Sequence, residues 1–562
     1  MPRKAISSAP ARWLALLLLP ALFWAGGAVF LHGRGPGYLP FNQDPEYPYL
    51  FASLNLVHSF TIDKLLHHPG ITTMAHDGLV MAVQNALAGG GPLVDEVLRH
   101  PEDFMSAVRA VQLAEYALVL WLAGVLLLAV TGRWLPALAV QLTPLVSLAF
   151  LLNHTFVVRP EAQLLLLGPL LGVALAAHLA GRPASGEPWG FTALLALVYA
   201  LFVATKITSL PLLVIPLALL PSWRTRLGFA ALWLGLTALF LAPLWPHWDF
   251  FSGWFLQLIH NSGKYGTNQS FMDWGLFLGN LVTLVSLTPF YCLLVSLTGL
   301  AGLSAWLARK GDPRLAKCLV SVAAAQALGL VMVARSFPAG RYLIPTLALG
   351  GLNLVLLIWW AERFVSRRGL RGALAGVLAA AMLAGAGWDL RLGLNKLAER
   401  RTETVAREAF AAQVRPLILP SSTAFSKYVT SQEAALGYGL VYNYSLQPDF
   451  CRVWPEIKYF YSPYSQKTDL LCASPAPVSW WPRQVAAQDP GVLFWVPTRF
   501  LPPGLRLELL AELPVPSELG EGLFRVAGLL DDPQAPAQVV NRANGGRAAP
   551  STGPRPEGES GD

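Results

Sequence analysis

The sequence predicts an all-α polytopic membrane protein with about eleven transmembrane helices and a small C-terminal α/β domain outside the membrane. Of its 562 residues, 54% are hydrophobic and only 13% are charged, against roughly 25% charged residues in soluble proteins. Apolar runs of about 18 residues, long enough to cross a bilayer, recur through the first 390 residues. The net charge of +8 does not indicate a nucleic-acid partner, because no basic stripe with interleaved aromatics is present.

Transmembrane helices are predicted from charge-free windows, since a charge at the bilayer centre costs roughly 2.5–3.5 kcal/mol on insertion scales. The apolar stretch from Trp13 to Leu31 is longer than a signal-peptide core, so we predict an uncleaved first span. The transmembrane domain, residues 1–390, is predicted to have spans near 13–31, 111–130, 135–152, 162–180, 189–205, 208–222, 227–246, 284–308, 318–334, 342–360 and 372–389.

The orientation follows from the basic residues, because positive loops stay in the cytoplasm. Alternate short loops hold clusters such as Arg224 with Arg226, which places the N-terminus inside and the C-terminus outside a bacterial cytoplasmic membrane. The outer loops are then 32–110 and 247–283, with an interfacial helix over 274–283. Residues 189–222 form either two short spans or one kinked helix, and the positions of Arg182 and Arg224 favour two.

A periplasmic or extracytoplasmic C-terminal domain is predicted over residues 391–531. It begins with a charged helix over 390–413, followed by strand-like runs at Gly439–Ser445, Val492–Pro497 and Leu505–Leu510. The tail, 532–562, is rich in Pro, Gly, Ala and Ser and is predicted to be disordered.

The four cysteines divide into two pairs. Cys292 and Cys318 fall in or beside spans and are interpreted as core residues. Cys451 and Cys472 fall in the outer domain, where an oxidising compartment favours a disulfide between them. The spacings typical of zinc ligands are absent.

Asp44 and Glu46 begin the first outer loop, one residue apart. One interpretation is structural: Asp44 caps a helix, Pro45 takes its first position and Glu46 favours its first turn. The other is catalytic, because two carboxylates held at a helix mouth can accept a proton from a hydroxyl or ligate a divalent cation such as Mg²⁺ or Mn²⁺. The spacing leaves both open.

Further polar residues are predicted to face the same side of the membrane. Each of these residues also has a purely structural interpretation. His68 would then belong to a turn, and Lys206 would extend its ammonium to the membrane interface. Arginines on this side are exceptions to the positive-inside rule, and a guanidinium can bind a phosphate with two hydrogen bonds. The candidates for binding donor phosphate or substrate are His68, Arg159, Glu161, Lys206, Lys264, Tyr265, Arg335, Arg341 and Tyr342. Together with the acidic pair they match an anionic lipid substrate.

This arrangement resembles the GT-C superfamily of membrane glycosyltransferases, which includes protein mannosyltransferases and lipid A aminoarabinose transferases. The resemblance covers residues 1–390 in outline and rests on Asp44-Pro45-Glu46, His68-Pro69-Gly70, Arg159-Pro160-Glu161 and Arg341-Tyr342-Leu343-Ile344-Pro345. It implies an inverting transfer of a sugar from a polyprenyl-phosphate donor to a hydroxyl of an envelope glycan, lipid or protein. Asp44 resembles the general base. Glu46 would orient the acceptor or bind a cation, and Arg159, Lys206 and Arg341 would stabilise the leaving phosphate.

Two other functions stay open at this stage. A transporter or flippase of a lipid-linked saccharide would carry internal repeats and ionisable residues near the midplane, which the sequence does not display. A noncatalytic envelope-glycan assembly protein is the second. The Trp-Trp-Asp motif of oligosaccharyltransferases is absent, which disfavours transfer to asparagine.

Overall fold

The structure, a computed structural model, describes residues 9–41, 43–63, 70–146, 157–181, 189–308, 313–418, 422–463, 465–472, 474, 478–513 and 520–540. Its helices up to the end of the membrane part are α1 Ala9–Ala15, α2 Leu18–Arg34, α3 Gln43–Ser59, α4 Ile71–Ala88, α5 Leu93–Arg99, α6 Pro101–Thr131, α7 Trp134–Gln141, α8 Pro160–Ala180, α9 Trp189–Thr205, α10 Val214–Leu219, α11 Trp223–Phe240, α12 Trp248–His260, α13 Trp274–Leu287, α14 Pro289–Leu307, α15 Pro313–Ser336, α16 Ile344–Leu347, α17 Gly350–Phe364 and α18 Arg368–Ile418.

Within the described parts of the chain, six helices are long and apolar enough to cross a membrane, or up to eight if each bent pair counts as one span. The chain is therefore a multi-pass membrane protein, but the predicted count of eleven spans is not confirmed. Two of the predicted spans, 189–205 and 208–222, are shorter apolar helices. A third, 135–152, is described only as far as Val146 and there consists of α7 and a 3₁₀ turn, Thr143–Val146. The basic residue Arg182 lies outside the described residues.

Breaks in the helices account for most of these differences. Lys206 has an extended backbone between α9 and the 3₁₀ helix Ile207–Leu213, so residues 189–222 form separate helices rather than one kinked helix. Similarly, α13 and α14 are separated at Thr288, so the predicted interfacial helix runs on to Leu287 and the following span begins at Pro289. Proline at that first position fits, because a helix needs no backbone donor there.

Helix α18 joins the membrane part to the C-terminal region. It runs for 51 residues, roughly 76 Å at 1.5 Å per residue, and so combines the predicted last span with the predicted charged helix. The boundary predicted at residue 390 thus lies inside a helix. Near its far end Arg407, which is fully buried, hydrogen-bonds to the buried carboxylate of Glu521, tying the helix to the sheet beyond.

The C-terminal region is built on one eight-stranded mixed sheet, in the order β4-β3-β2-β1-β5-β7-β6-β8. Strand β1 is parallel to both of its neighbours, β2 and β5, and β7 is antiparallel to β5. The strands are β1 Thr423–Ser426, β2 Tyr459–Ser462, β3 Lys467–Leu470, β4 Val478–Trp480, β5 Leu493–Pro497, β6 Leu505–Leu513, β7 Glu521–Leu529 and β8 Gln538–Val540, and the helices between them are α19 Gln432–Val441, α20 Gln447–Val453 and α21 Pro482–Gln488.

Two sequence predictions for this region need correction. Residues 439–445 are not a strand: they hold the end of α19 and part of a 3₁₀ turn, Tyr444–Leu446. Strand β8 pairs with β6 inside the segment that was predicted to be disordered, because Val539 and Ala537 add apolar contacts to the sheet. Residues 541–562 lie outside the described residues.

The first outer loop packs directly against the C-terminal region. Phe51 of α3 shares a buried apolar cluster with Phe450 and Trp495. Polar contacts fix the same interface, because Arg452 binds the carboxylate of Asp95 with two hydrogen bonds of 2.5 and 2.7 Å. Cys451 and Cys472, the predicted pair, form a disulfide behind this surface, with 5.4 Å between their Cα atoms. Cys292 and Cys318 are free thiols in the membrane helices.

Candidate functional site

The start of α3 carries the first acidic residue of the site. Asp44 has φ −97° and ψ 117°, and Pro45 has φ −103° and ψ 29°, so regular helical geometry begins only after them. Pro45 is therefore not the first residue of the regular helix, as the capping interpretation required. The structure also directs the Asp44 carboxylate to partners elsewhere in the chain.

Asp44 is bound from the C-terminal region. Lys427 donates a hydrogen bond from Nζ to Asp44 Oδ2 at 2.8 Å, and the Tyr438 hydroxyl donates to Oδ1 at 3.3 Å. Arg159 donates to the backbone carbonyl of Asp44. The side chain of Asp44 is 49% exposed whereas that of Lys427 is 7% exposed, so the carboxylate lies at the accessible edge of an otherwise buried cluster.

The charge balance around Asp44 makes it a persistent anion. Burial would raise the pKa of Asp44, but the charge and hydrogen bond of Lys427, together with the charges of Arg159 and Arg341, lower that pKa to about 2. The same carboxylate raises the pKa of the buried Tyr438 hydroxyl further than burial alone. At neutral pH the site therefore holds a carboxylate and an un-ionised phenol.

Glu46 has a different set of partners. It is fully buried, and Arg109 binds both of its oxygens, with 3.0 Å from Nε to Oε1 and 2.5 Å from Nη2 to Oε2. The backbone amide of Val158 donates to Oε1 at 3.1 Å. Burial would raise the pKa of Glu46, but the charges of Arg109 and Arg34 outweigh it and lower the pKa.

The Glu46 carboxylate is held by donors from the protein. Its Oε1 accepts from Arg109 Nε and the Val158 amide, and its Oε2 accepts from Arg109 Nη2. Among the described residues, no group of three or more histidine, cysteine or acidic side chains is placed to hold a metal ion. These hydrogen bonds link Glu46 to Arg109 and to the backbone before Arg159.

A second ion pair joins the start of α8 to the residue that follows α9. Lys206 donates a hydrogen bond to the carboxylate of Glu161, and both side chains are buried. The ammonium of Lys206 also lies 4.6 Å from the ring centre of Tyr342, and the guanidinium of Arg341 lies 5.5 Å from the same centre. Two of the predicted cations therefore lie close to the same aromatic ring.

Arg159 connects these groups. Its charge acts on the carboxylates of Asp44, Glu46 and Glu161 alike, and its guanidinium donates a hydrogen bond to the Asp44 carbonyl. Arg159 is 6% exposed, and its Nε has no hydrogen-bond partner within the described part of the chain. A buried donor of this kind is costly to leave unmatched, so an oxygen-rich anion is a suitable partner.

The electrostatic interactions link eleven charged side chains in this region, seven of them cations and four of them carboxylates. Positive charge therefore exceeds negative charge by three among these side chains. The cations are Arg34, Arg109, Arg159, Lys206, Arg341, Arg400 and Lys427, and the carboxylates are those of Asp44, Glu46, Glu102 and Glu161.

Other predicted residues lie apart from this cluster. Arg335 is committed to carbonyls at the C-terminal end of α12, donating to Leu258 and, at 3.0 Å, to Ile259. A cation in this position stabilises the C-terminal end of a helix. The Arg335 guanidinium is therefore held by the carbonyls of α12. Lys264 is exposed and lies 5.1 Å from the ring centre of Phe337.

Two further predictions are only partly described. The backbone of Tyr265 belongs to the 3₁₀ turn Lys264–Gly266, but its side chain lies outside what the structure describes. His68 falls in 64–69, which also lies outside the described residues. The residue that follows this segment, Gly70, donates its amide to the carbonyl of Thr205 at 3.0 Å, which brings the chain beside Lys206.

Several residues of this region were not predicted from the sequence, among them Lys427, Tyr438 and Arg109. Lys427 and Tyr438 lie 383 and 394 positions from Asp44, and no local pattern connects such distant residues. Arg109 precedes the predicted span at 111–130, so it was assigned to the outer loop. One feature of the sequence could have drawn attention to Arg109. It lies next to an apolar span, and a charged residue there is expected to have a partner.

Comparisons with known proteins give one distant likeness. No family model matches the chain, and no curated protein matches it either. A solved structure, ArnT from Cupriavidus metallidurans bound to undecaprenyl phosphate, is 14% identical, covers 94% of this chain and 100% of that chain, and superposes with a TM-score of 0.45. At this identity and TM-score the likeness identifies neither the substrate nor the reaction of this chain, which depend on the contacts described above.

Proposed function

We propose that this chain is an inverting glycosyltransferase that moves a sugar from a polyprenyl-phosphate donor to a hydroxyl acceptor at the outer face of the cytoplasmic membrane. One observation carries the proposal. A cluster with excess positive charge lies beside the accessible carboxylate of Asp44, and it includes the buried Nε of Arg159, for which the described residues provide no acceptor. An anion site and a base side by side at the end of membrane helices suit a lipid-linked phosphate donor.

The excess cations suit the leaving group of this reaction. When the bond between the sugar and phosphate breaks, negative charge grows on the phosphate oxygen, and preorganised donors in a partly dry site stabilise it well. We assign Arg159 and Arg341 to stabilising the leaving phosphate, because the charge of each acts on the proposed base, Asp44. Lys206 is already bound to Glu161, so we assign it to holding Glu161 and Tyr342 in place.

Asp44 is the proposed base. An inverting transfer needs a carboxylate that accepts the acceptor hydroxyl proton on the face of the sugar opposite the phosphate. The exposed edge of Asp44 offers such a carboxylate, while its other side is held by Lys427 and Tyr438. Glu46 acts at one remove, through Arg109 and the Val158 amide. Envelope glycans, lipids and proteins are all acceptors of the right class.

The test uses the full chain reconstituted in proteoliposomes with undecaprenyl-phosphate-linked hexoses and pentoses as donors. Release of undecaprenyl phosphate with formation of a glycosylated product is expected. The Asp44→Asn variant should lose about 10²–10⁴-fold of the rate, the usual contribution of a positioned base. Asp249→Asn removes a carboxylate from the exposed start of α12 and serves as the matched control.

Two results would overturn the proposal. Full activity in the Asp44→Asn variant removes the assigned base. Movement of the lipid-linked saccharide across the bilayer, with its phosphate–sugar bond intact and no product formed, would identify a flippase instead.

A further inference from the structure

Lys427 holds an unusual place in the fold. It follows β1 directly, and β1 is the strand from which the sheet extends in parallel on both sides, to β2 and to β5. Parallel sheets place ligand-binding residues at the carboxyl ends of such strands, where the connections diverge. Lys427 is 5% exposed, and its ammonium lies 4.6 Å from the ring centre of Tyr428 and 4.5 Å from that of Tyr438.

The position of Lys427 over Asp44 is fixed by contacts on either side of it. Gln43 donates from Nε2 to the carbonyl of Val429 at 2.8 Å, linking the residue before Asp44 to a residue just after Lys427. Asn443 donates from Nδ2 to the carbonyl of Pro48 at 3.2 Å. These bonds join the two chain segments independently of the ion pair, so the loss of the ammonium need not separate them.

The ion pair also conflicts with the role of Asp44. A general base works best when its pKa is near the operating pH, yet Lys427 is the strongest of the charges that hold the pKa of Asp44 at about 2. While Lys427 remains on Asp44, proton transfer to the carboxylate is strongly unfavourable. An efficient base requires that this positive charge be shared with another anion when the reaction occurs.

We propose that Lys427 is a substrate-gated counter-ion, which binds Asp44 in the empty site and turns towards the donor phosphate when that phosphate enters beside Arg159 and Arg341. This proposal rests on the proposed function and deepens it, because it assigns the C-terminal region a direct part in donor binding. The flexible four-carbon stem of lysine and its rotatable ammonium suit such an exchange.

The transfer step breaks two bonds and forms two. The acceptor O–H bond breaks and its proton passes to the Asp44 carboxylate, while the acceptor oxygen forms a bond to the anomeric carbon. The bond from that carbon to the phosphate oxygen breaks, and its electron pair stays on the phosphate. Lys427, Arg159 and Arg341 face the resulting charge. Asp44 thus becomes more basic only when the donor, with its phosphate leaving group, is bound. In the empty site Lys427 disfavours protonation of the Asp44 carboxylate.

The groups facing Asp44 come from three parts of the fold. The C-terminal region contributes Lys427 and Tyr438, the start of α8 contributes Arg159, and the 3₁₀ turn Gly340–Leu343 contributes Arg341. With Lys427 neutralised by substitution, the charges of the two arginines and the hydrogen bond from Tyr438 remain to oppose burial, and the pKa of Asp44 moves upwards. An acid limb belonging to the free enzyme should then appear in the pH profile of kcat/KM.

The experiment compares Lys427→Met, Lys427→Arg and, as matched control, Lys467→Met. Lys467 lies in β3 of the same sheet, 5.6 Å from the ring centre of Trp481 and away from the cluster. Transfer from an undecaprenyl-phosphate-linked sugar is measured between about pH 4 and pH 8, and binding of undecaprenyl phosphate against neutral undecaprenol is measured separately. Folding is checked by the melting temperature of the full chain.

Lys427→Met is expected to weaken undecaprenyl phosphate binding about tenfold or more, the usual effect of losing a charge-assisted hydrogen bond, and to bring the acid limb into the measured range. Lys427→Arg should restore both towards wild type, and Lys467→Met should alter neither. If the wild type transfers sugar and Asp44→Asn does not, an unchanged pH profile and donor KM in Lys427→Met overturn the gate and leave the transferase intact. If the wild type transfers no sugar, the proposed function fails, and an unchanged undecaprenyl phosphate affinity in Lys427→Met then overturns the gate as well.

Discussion

Replacing Arg109 by methionine leaves a buried carboxylate without its main partner. Glu46 is fully buried and receives two hydrogen bonds from the Arg109 guanidinium. The methionine fills much of the arginine stem's volume, so the change removes the charge and the donors with little change in packing. The Val158 amide and the charges of Arg34 and Arg159 then remain to stabilise the Glu46 anion.

The expected cost follows from the burial of the pair. Removing one partner of a buried ion pair destabilises a protein by about 3–5 kcal/mol, because the other charge is left uncompensated. Removing both charges costs less, since no buried anion remains. We therefore expect the double variant Arg109→Met with Glu46→Gln to be more stable than Arg109→Met alone, although it carries one more substitution.

The assay is thermal unfolding of the purified chain in detergent, followed by the fluorescence of its 19 tryptophans. A loss of this size corresponds to a decrease of a few degrees in the melting temperature for a chain of this length. The Arg109→Met variant should also recover part of its stability as the pH falls towards about 5. Burial without the arginine raises the pKa of Glu46, and protonation then removes the unpaired charge.

Two outcomes would refute this reasoning. If Arg109→Met melts within a degree of the wild type, the pair does not stabilise the fold in the way its burial implies. If the double variant melts lower than Arg109→Met and the deficit adds as two independent losses, the two side chains are not energetically coupled.

Three further predictions concern stability away from the proposed reaction. Burial would lower the pKa of His76, but hydrogen bonds to Asp77 and Glu115 raise that pKa to about 9. Protonated His76 therefore stabilises the fold fully below about pH 6.5, and this contribution is lost as the pH rises through 9. The melting temperature should fall over that pH range, and the fall should be smaller in His76→Gln. Cys451→Ala should lower the stability of the C-terminal region by about 3 kcal/mol, because the disulfide closes a loop with a sequence separation of 21; an unchanged melting temperature under non-reducing conditions would contradict this. Gly168→Ala should cost about 1–3 kcal/mol, since a Cβ there would lie 2.6 Å from the backbone oxygen of Ala348; Gly190→Ala, where the new atom meets open space, is the control.

The membrane architecture could be predicted from the sequence because its signal is local. A long apolar window such as Pro160–Ala180 or Pro313–Ser336 excludes other structures regardless of what surrounds it. The number of spans was less predictable, because helix breaks depend on packing. Lys206 interrupts an apolar stretch where its ammonium can reach Glu161, and that partner is invisible in the local pattern.

The candidate site divides in the same way. The sequence by itself indicated Asp44, Glu46, Arg159, Glu161 and Arg341 as polar residues at the outer ends of membrane helices, because polar groups beside apolar spans are informative one at a time. It could not show that the two carboxylates have separate partners. Ion pairs form between residues that the chain brings together from distant positions, and their energy depends on burial and distance.

Only the tertiary structure placed Lys427 on Asp44 and Arg109 on Glu46. The first contact requires the long helix α18 to return the chain to the outer loop and the sheet to present the end of β1 at that point. Hydrophobic periodicity determines where a helix crosses the membrane, whereas the choice of counter-ion for a buried carboxylate is made by the whole fold, since a charge taken out of water is stable only beside a partner held there.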